Sequence, residues 1–168
     1  MATKTLIAEA EYLQMNFDGP EGDYVDGEVF ERTMPTTQHS NTQANFVVGI
    51  RPWRSGGRLF ELPELRIRTG PGRYRVVDIA VFRDRTPVDP IPAETPFIVV
   101  EIVSPDDRHH ELKAKLAEYK AIGVPHVWVL DPGFRSLSVF DHGSFLEVEA
   151  LEIPEFGLRF TPAQLFES

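Results

Sequence analysis

Two carboxylates sit in runs of sequence that should be wholly apolar. Phe97-Ile98-Val99-Val100-Glu101-Ile102-Val103 reads as a strand buried on both faces, with one ionisable residue near its end. Arg75-Val76-Val77-Asp78-Ile79-Ala80-Val81-Phe82 repeats the pattern. A charge in such a place costs on the order of several kcal/mol unless something pairs with it. Two of them point to a hard-cation site or an acid/base pair, because carboxylate oxygens suit ions such as Mg²⁺. Strand side chains alternate, so Glu101 is expected to share a face with Val99 and Val103, and Asp78 with Val76 and Ala80. If the strands are antiparallel neighbours, the two carboxylates converge at one end of the sheet.

A cation follows. In Glu111-Leu112-Lys113-Ala114-Lys115-Leu116-Ala117-Glu118-Tyr119-Lys120 the apolar stripe is Leu112, Leu116 and Tyr119. Glu111, Lys115 and Tyr119 recur at i, i+4 and i+8 on an adjoining face, so Lys115 can reach over a sheet end while its stem packs below. Lys113 points further round, to solvent. Tyr119 is expected in the core with its hydroxyl near the site. His109 and His110 are adjacent and cannot share a helix face as a metal pair. Trp53 and Trp128 are read as packing residues.

The elements that must hold these groups can be read in order. Residues 5–17 suggest a short helix, broken at Asp18-Gly19-Pro20. Residues 24–31 form a hairpin around Asp26-Gly27, the strongest two-residue turn signal. A helix is expected from Thr36 to Ile50, ended by Pro52. Strands follow at 58–62, with a continuation through 65–68, then at 74–83 and 97–103. A helix is expected to start at Ser104-Pro105-Asp106-Asp107, with the aspartates in its cap and first turn, and to stop at Gly123. A strand at 126–130, a meander over 136–160 and a short helix at 163–166 complete the chain. The connections among the three central strands are too short for parallel crossovers, whereas the strand after the second helix can be parallel to its neighbour. The expected fold is α/β in the α+β sense: one domain over 1–168, with a central mixed sheet flanked by helices.

Composition narrows the function classes. The chain has 168 residues, no cysteine, a formal charge of −9 and a pI of about 5.0. Disulfides, thiolate metal sites and cysteine nucleophiles are excluded together. The acidic balance argues against tight non-specific nucleic-acid binding, although Arg51, Arg54, Arg58, Arg66, Arg68, Arg73 and Arg75 cluster in one stretch. No signal-peptide core or membrane-length apolar run is present, and a soluble, cytoplasmic protein is expected.

RVVDIAVF, then PFIVVEIVSP, ELKAKLAEY and GVPHVWVLDP, form a linked pattern that resembles the Uma-two family of restriction-endonuclease-like proteins, once a domain of unknown function, in the PD-(D/E)XK nuclease superfamily. DGEVFE, Pro35, His39 and the terminal FTPAQLF extend the resemblance over nearly the whole chain. It implies a restriction-endonuclease-like fold and metal-dependent hydrolysis of DNA. Asp78 matches the aspartate of the PD motif and Glu101 the acid of (D/E)XK. Val103 stands where the superfamily lysine falls, and Lys115 matches the lysine that this family carries on the next helix. Val77 replaces the proline before Asp78, and Glu111 replaces an aspartate.

The implied roles are these. Asp78, Glu101 and the Ile102 carbonyl hold Mg²⁺ or Mn²⁺; Lys115 orients a water or offsets phosphate charge; Glu28 adds a ligand through water; His39 contacts a phosphate or moves a proton. DNA is the implied substrate, and a homodimer is one assembly the reading allows. Two alternatives stand beside it. One is an inactive module of the same fold that binds nucleic acid or protein. The other is a glycosidase using Asp78 and Glu101 as its carboxylate pair, which leaves Lys115 unexplained.

Overall fold

The computed structural model describes residues 6–105 and 107–167. Its elements are α1 (Glu9–Tyr12), β1 (Asp23–Val25), β2 (Glu28–Phe30), α2 (Thr37–Ser55), β3 (Leu59–Gly70), β4 (Arg73–Arg83), β5 (Ile98–Ile102), α3 (His109–Ala121), β6 (His126–Asp131), β7 (Ser136–Asp141), β8 (Ser144–Val148), β9 (Leu151–Ile153), β10 (Leu158–Phe160) and α4 (Pro162–Phe166). Eight strands form one sheet in the order β2-β1-β4-β5-β6-β7-β8, with β3 also paired to β4. β5 and β6 are parallel and are joined through α3; the other pairs are antiparallel. The expected meander divides: β7 and β8 continue the sheet, while β9 and β10 form a separate ribbon. No helix among the described residues is long and apolar enough to cross a membrane.

Each face of the sheet carries its own core. Phe46 and Ile50 of α2 pack on Ile79, Val81, Ile98, Val100 and Trp128, with Phe160 of the ribbon stacked on Phe46 at 4.6 Å between ring centres. Leu116 and Tyr119 of α3 pack on Ala80, Phe82, Val99 and Val127 from the other side. β4 is buried without interruption from Val76 to Phe82 and β5 throughout, and alternation of side-chain direction assigns their residues to these two layers. A third cluster, Tyr12, Tyr24 and Tyr74, fastens the N-terminal segment to the hairpin.

Several boundaries differ from expectation. The N-terminal helix is one turn, Glu9–Tyr12, and residue 5 of the expected span lies outside the described residues. α2 runs through Pro52 to Ser55. The missing donor of Pro52 removes only the bond to the carbonyl of Val48, an exposed residue. The last turn is held instead by the indole N–H of Trp53 on the Phe156 carbonyl and by Arg54 on Glu61. β3 continues through Pro63, which an edge strand tolerates. α3 begins at His109 with Arg108 as its cap, later than expected. Asp107 spends its carboxylate on the Ser104 N–H, a local turn that competes with capping; Asp106 lies outside the described residues.

The arrangement around β4 positions the site. β3 pairs with β4 along its whole length. β1 and β5 must therefore share the opposite edge, β1 at Arg73 and Tyr74 and β5 at Ile79 to Val81. Between them, residues 75–78 have no strand neighbour on that edge. Alternation breaks at the same place. Val77 joins Ala80 in the α3-side core, as Leu65 joins Leu62 on β3. The face expected for Asp78, shared evenly with Val76 and Ala80, is thereby interrupted. Opposite Asp78 in the register stands Glu64, in the left-handed region at φ 51°. A non-glycine residue there is strained by roughly 1–3 kcal/mol, and such strain concentrates at functional positions.

Candidate active site

The break in the β4 edge is filled by side chains. The Asp23 carboxylate accepts from the Val76 N–H at 2.8 Å, and Lys115 Nζ donates to the Val76 carbonyl at 2.9 Å. Gln43 of α2 donates to the Asp78 carbonyl at 2.9 Å. Backbone groups that a strand would have paired are thus satisfied by a cluster of polar residues.

Asp78 and Glu101 lie one step beyond the last regular pair of β4 and β5, Ile79 opposite Val100, and so face each other across the two strands. They are 2% and 5% exposed, so each needs partners. Asp78 Oδ2 accepts the Ile102 N–H at 2.6 Å. Its Oδ1 meets Arg32 Nη2 at 2.5 Å and His39 Nε2 at 3.4 Å. Glu101 Oε2 meets Lys115 Nζ at 3.0 Å, and Oε1 accepts the Tyr119 hydroxyl at 2.7 Å. Because the N–H and carbonyl of one strand residue point to the same side, the Ile102 carbonyl also faces the Asp78 edge.

The two carboxylates differ electrostatically. Burial pushes both upward. At Asp78 the His39 hydrogen bond and the charges of Lys115 and Arg32 outweigh it and hold the carboxyl below its ordinary value. At Glu101 burial wins, with Asp78 adding to it, and the group is pushed up to about 7. Lys115 is lowered by burial but raised further by Asp23, Glu101 and Asp78, so it stays cationic. His39 is also raised: burial lowers it, but the bond to Asp78 and that carboxylate's charge prevail. Its Nδ1 is buried with no protein partner among the described residues.

These groups open into a cavity of about 760 Å³, lined also by Asp23, Arg75, Val76, Ile102 and Arg108. Of the residues singled out in the sequence, the structure gathers Asp78, Glu101, Ile102, Lys115 and His39 at the cavity and puts Tyr119 beneath, against Glu101. Glu111 lines the same cavity but is ion-paired with Arg108 at 3.5 Å and lies 3.9 Å from His110, apart from the carboxylate pair. Glu28, opposite Val25 in the hairpin, does not line it. Sequence reasoning missed Arg32, Glu64, Gln43 and Asp23. Asp23 carried a signal, an acid at the start of the first hairpin strand; Arg32 lies in irregular chain, Glu64 is exposed in β3, and Gln43 is an uncharged residue of α2 that no motif marks.

The arginine stretch is no basic stripe. Arg54 pairs with Glu61, Arg66 with Glu21, Arg73 with Asp26 and Glu118, and Arg75 with Asp23 and Glu118, while Arg68 stands 3.9 Å from Glu9 and Arg58 lies over the Phe156 ring. Of the seven, only Arg75 lines the cavity.

Among the described residues no three His, Cys, Asp or Glu side chains form a ready metal cluster. The donor set still fits a hard divalent ion. Mg²⁺ commonly takes one or two carboxylates and keeps several waters, and here two carboxylates and one carbonyl, all oxygen donors, meet at one edge.

The sequence pattern of the family described as "Uma2: Putative restriction endonuclease" matches residues 9–167. The fold is similar to the crystal structure, at 1.96 Å, of a "putative nuclease belonging to DUF820" from Anabaena variabilis ATCC 29413. The identity is 23%, 95% of this chain and 97% of that chain are covered, and the TM-score is 0.83. That likeness bears out the restriction-endonuclease-like architecture. No curated protein matches the sequence.

Proposed function

The chain belongs to the Uma2 family, and on that premise we propose that it is a cytoplasmic, metal-dependent endonuclease hydrolysing DNA phosphodiester bonds, with residues 1–168 acting as one domain. The observation that carries this reading is the opposition of Asp78 and Glu101 across two central strands, with Lys115 reaching them from α3. Asp78, Glu101 and the Ile102 carbonyl would hold Mg²⁺ or Mn²⁺. When bound, the ion would supply a Lewis acid that lowers the pKa of its water and offsets charge on the phosphate.

The remaining work falls to the chain's own groups. Lys115, fixed by Glu101 and the Val76 carbonyl, orients the attacking water or stabilises charge developing on the phosphate oxygens. Tyr119 anchors Glu101 so that its second oxygen keeps its direction. His39, held with Nε2 near Asp78 at the cavity wall, contacts a phosphate or moves a proton. Glu111 stands at the wall, where it can bear on substrate rather than on the ion.

Incubation of the protein with supercoiled plasmid and with single-stranded DNA in Mg²⁺ or Mn²⁺ tests the proposal. Cleavage should disappear in Asp78→Asn, Glu101→Gln and Lys115→Met, each checked for folding by circular dichroism. Activity surviving in all three overturns it. A second reading, a non-catalytic binding module, draws on the fact that all four carboxylate oxygens already have protein donors. A calorimetric titration silent to millimolar Mn²⁺, with no cleavage, would favour that module.

A further inference from the structure

Arg32 follows the hairpin, in the segment before α2, yet its guanidinium ends inside the cavity. One nitrogen meets Asp78 Oδ1 and the other Glu64 Oε2, both at 2.5 Å. Glu64 is held in turn by Gln43, whose amide also grips the Asp78 carbonyl. The cation therefore bridges two carboxylates that face each other across β3 and β4, one deeply buried and one half-exposed. A planar guanidinium suits such a two-oxygen bridge in a way that a lysine would not. It also occupies the one Asp78 oxygen that the backbone does not claim, since Oδ2 is committed to the Ile102 N–H.

We propose that Arg32 is a positioning residue that stands in for the divalent cation at Asp78 and must give up that oxygen before the ion binds. This rests on the metal-dependent reading above. Without a cation, Asp78 would be a buried charge facing Glu101 with Lys115 and His39 as its remaining counter-ions, and Arg32 completes the balance. When an ion takes Oδ1, the Glu64 carboxylate keeps the guanidinium in the cavity. One edge of the fork is then free, and an arginine fork matches phosphate oxygens in pairs. Arg32 thus couples the arrival of the ion to the exposure of a phosphate-binding group, and its competition sets the ion's affinity.

Calorimetry with Mn²⁺ alone, on the full chain, tests this. Wild type should bind one ion that Asp78→Asn abolishes. Arg32→Ala should bind Mn²⁺ about tenfold or more tightly, the ratio that a difference of roughly 1.4 kcal/mol produces. Its melting temperature without metal should fall, and Mn²⁺ should restore more of it than in wild type. Arg32→Gln, which keeps the volume, should show the same tightening if the alanine variant is poorly folded. Tightening in a variant that is less stable without metal is not what loss of a merely structural contact produces. Equal or weaker Mn²⁺ binding by both variants, with wild-type binding intact, overturns the role of Arg32 and leaves the nuclease reading standing. Mn²⁺ binding by none of the proteins overturns both together.

Discussion

Two ionic clusters lie along the same edge of β4, and they are built differently. Around Arg75 every charge has a fixed opposite. Arg75 grips Glu118 through two nitrogens and Asp23 through a third, Arg73 adds a second guanidinium to Glu118, and Thr69 donates a hydroxyl. Glu118 is held below its ordinary value, burial notwithstanding, by these bonds. Around Asp78 and Glu101 the balance is uneven. One carboxyl is held low and its neighbour is pushed to about 7, while a buried imidazole nitrogen has no partner. In the first cluster the charges are matched. The second holds an acid near neutrality beside a carboxyl held low, a split that is common among groups that exchange protons or ligands.

The sharpest way to break this contrast is to remove one acid from each. Glu101→Gln should lower DNA cleavage by at least about a hundredfold, the scale of losing a group that supports transition-state charge. Glu118→Gln should leave turnover intact, and a nuclease assay on both variants decides. Stability should show the reverse order. Glu118→Ala strips counter-charge from two arginines and should cost about 3 kcal/mol in urea unfolding. Glu101→Gln should cost less, because it relieves a carboxylate that burial already disfavours.

Acidity gives the next effect. On the metal-dependent reading proposed above, Glu101 must be deprotonated to hold an ion, so Mn²⁺ affinity should climb with pH up to and through about 7, with proton release in calorimetry. Its contribution to stability has the opposite sign. With a folded pKa raised from 4.5 to about 7, the native state binds more protons than the unfolded one in that window, and stability falls as pH rises through it. Asp78, held low, stabilises the fold above its unfolded value of 3.8, and that contribution is lost as pH falls towards its folded value. Glu101→Gln should erase the first dependence and Asp78→Asn the second in melts recorded across pH. The smallest effect is that of Tyr119→Phe. Losing the hydroxyl bond to Glu101 should cost about 1 kcal/mol and move the pH profile of Mn²⁺ binding upward, since that bond favours the ionised acid.

The opposed carboxylates were legible in the sequence for a simple reason. Charges inside uninterrupted apolar runs have few outcomes, and two adjacent strands bring them together by register alone. Lys115 was legible because helical spacing ties it to Tyr119, whose burial orients the whole face. Arg32 and Glu64 were not, because neither lies in a periodic pattern. Arg32 follows the hairpin in irregular chain, and Glu64 sits at a left-handed kink whose existence depends on its partner strand. The start of α3 was misjudged for a related reason. Asp107 has the chemistry of a cap but uses it on a turn just before the helix. Competition of that kind between local hydrogen bonds is decided by tertiary packing, which no window of sequence contains.

The shared edge of β4 carries one more consequence. At Val76 the sheet is continued by a carboxylate and an ammonium group in place of a neighbouring strand. A hydrogen-bond ladder is indifferent to protons and ions in the solvent, whereas this stretch is not. In the gap between β1 and β5 the join is electrolyte chemistry, so the solvent has a hold on the architecture itself at the wall of the cavity.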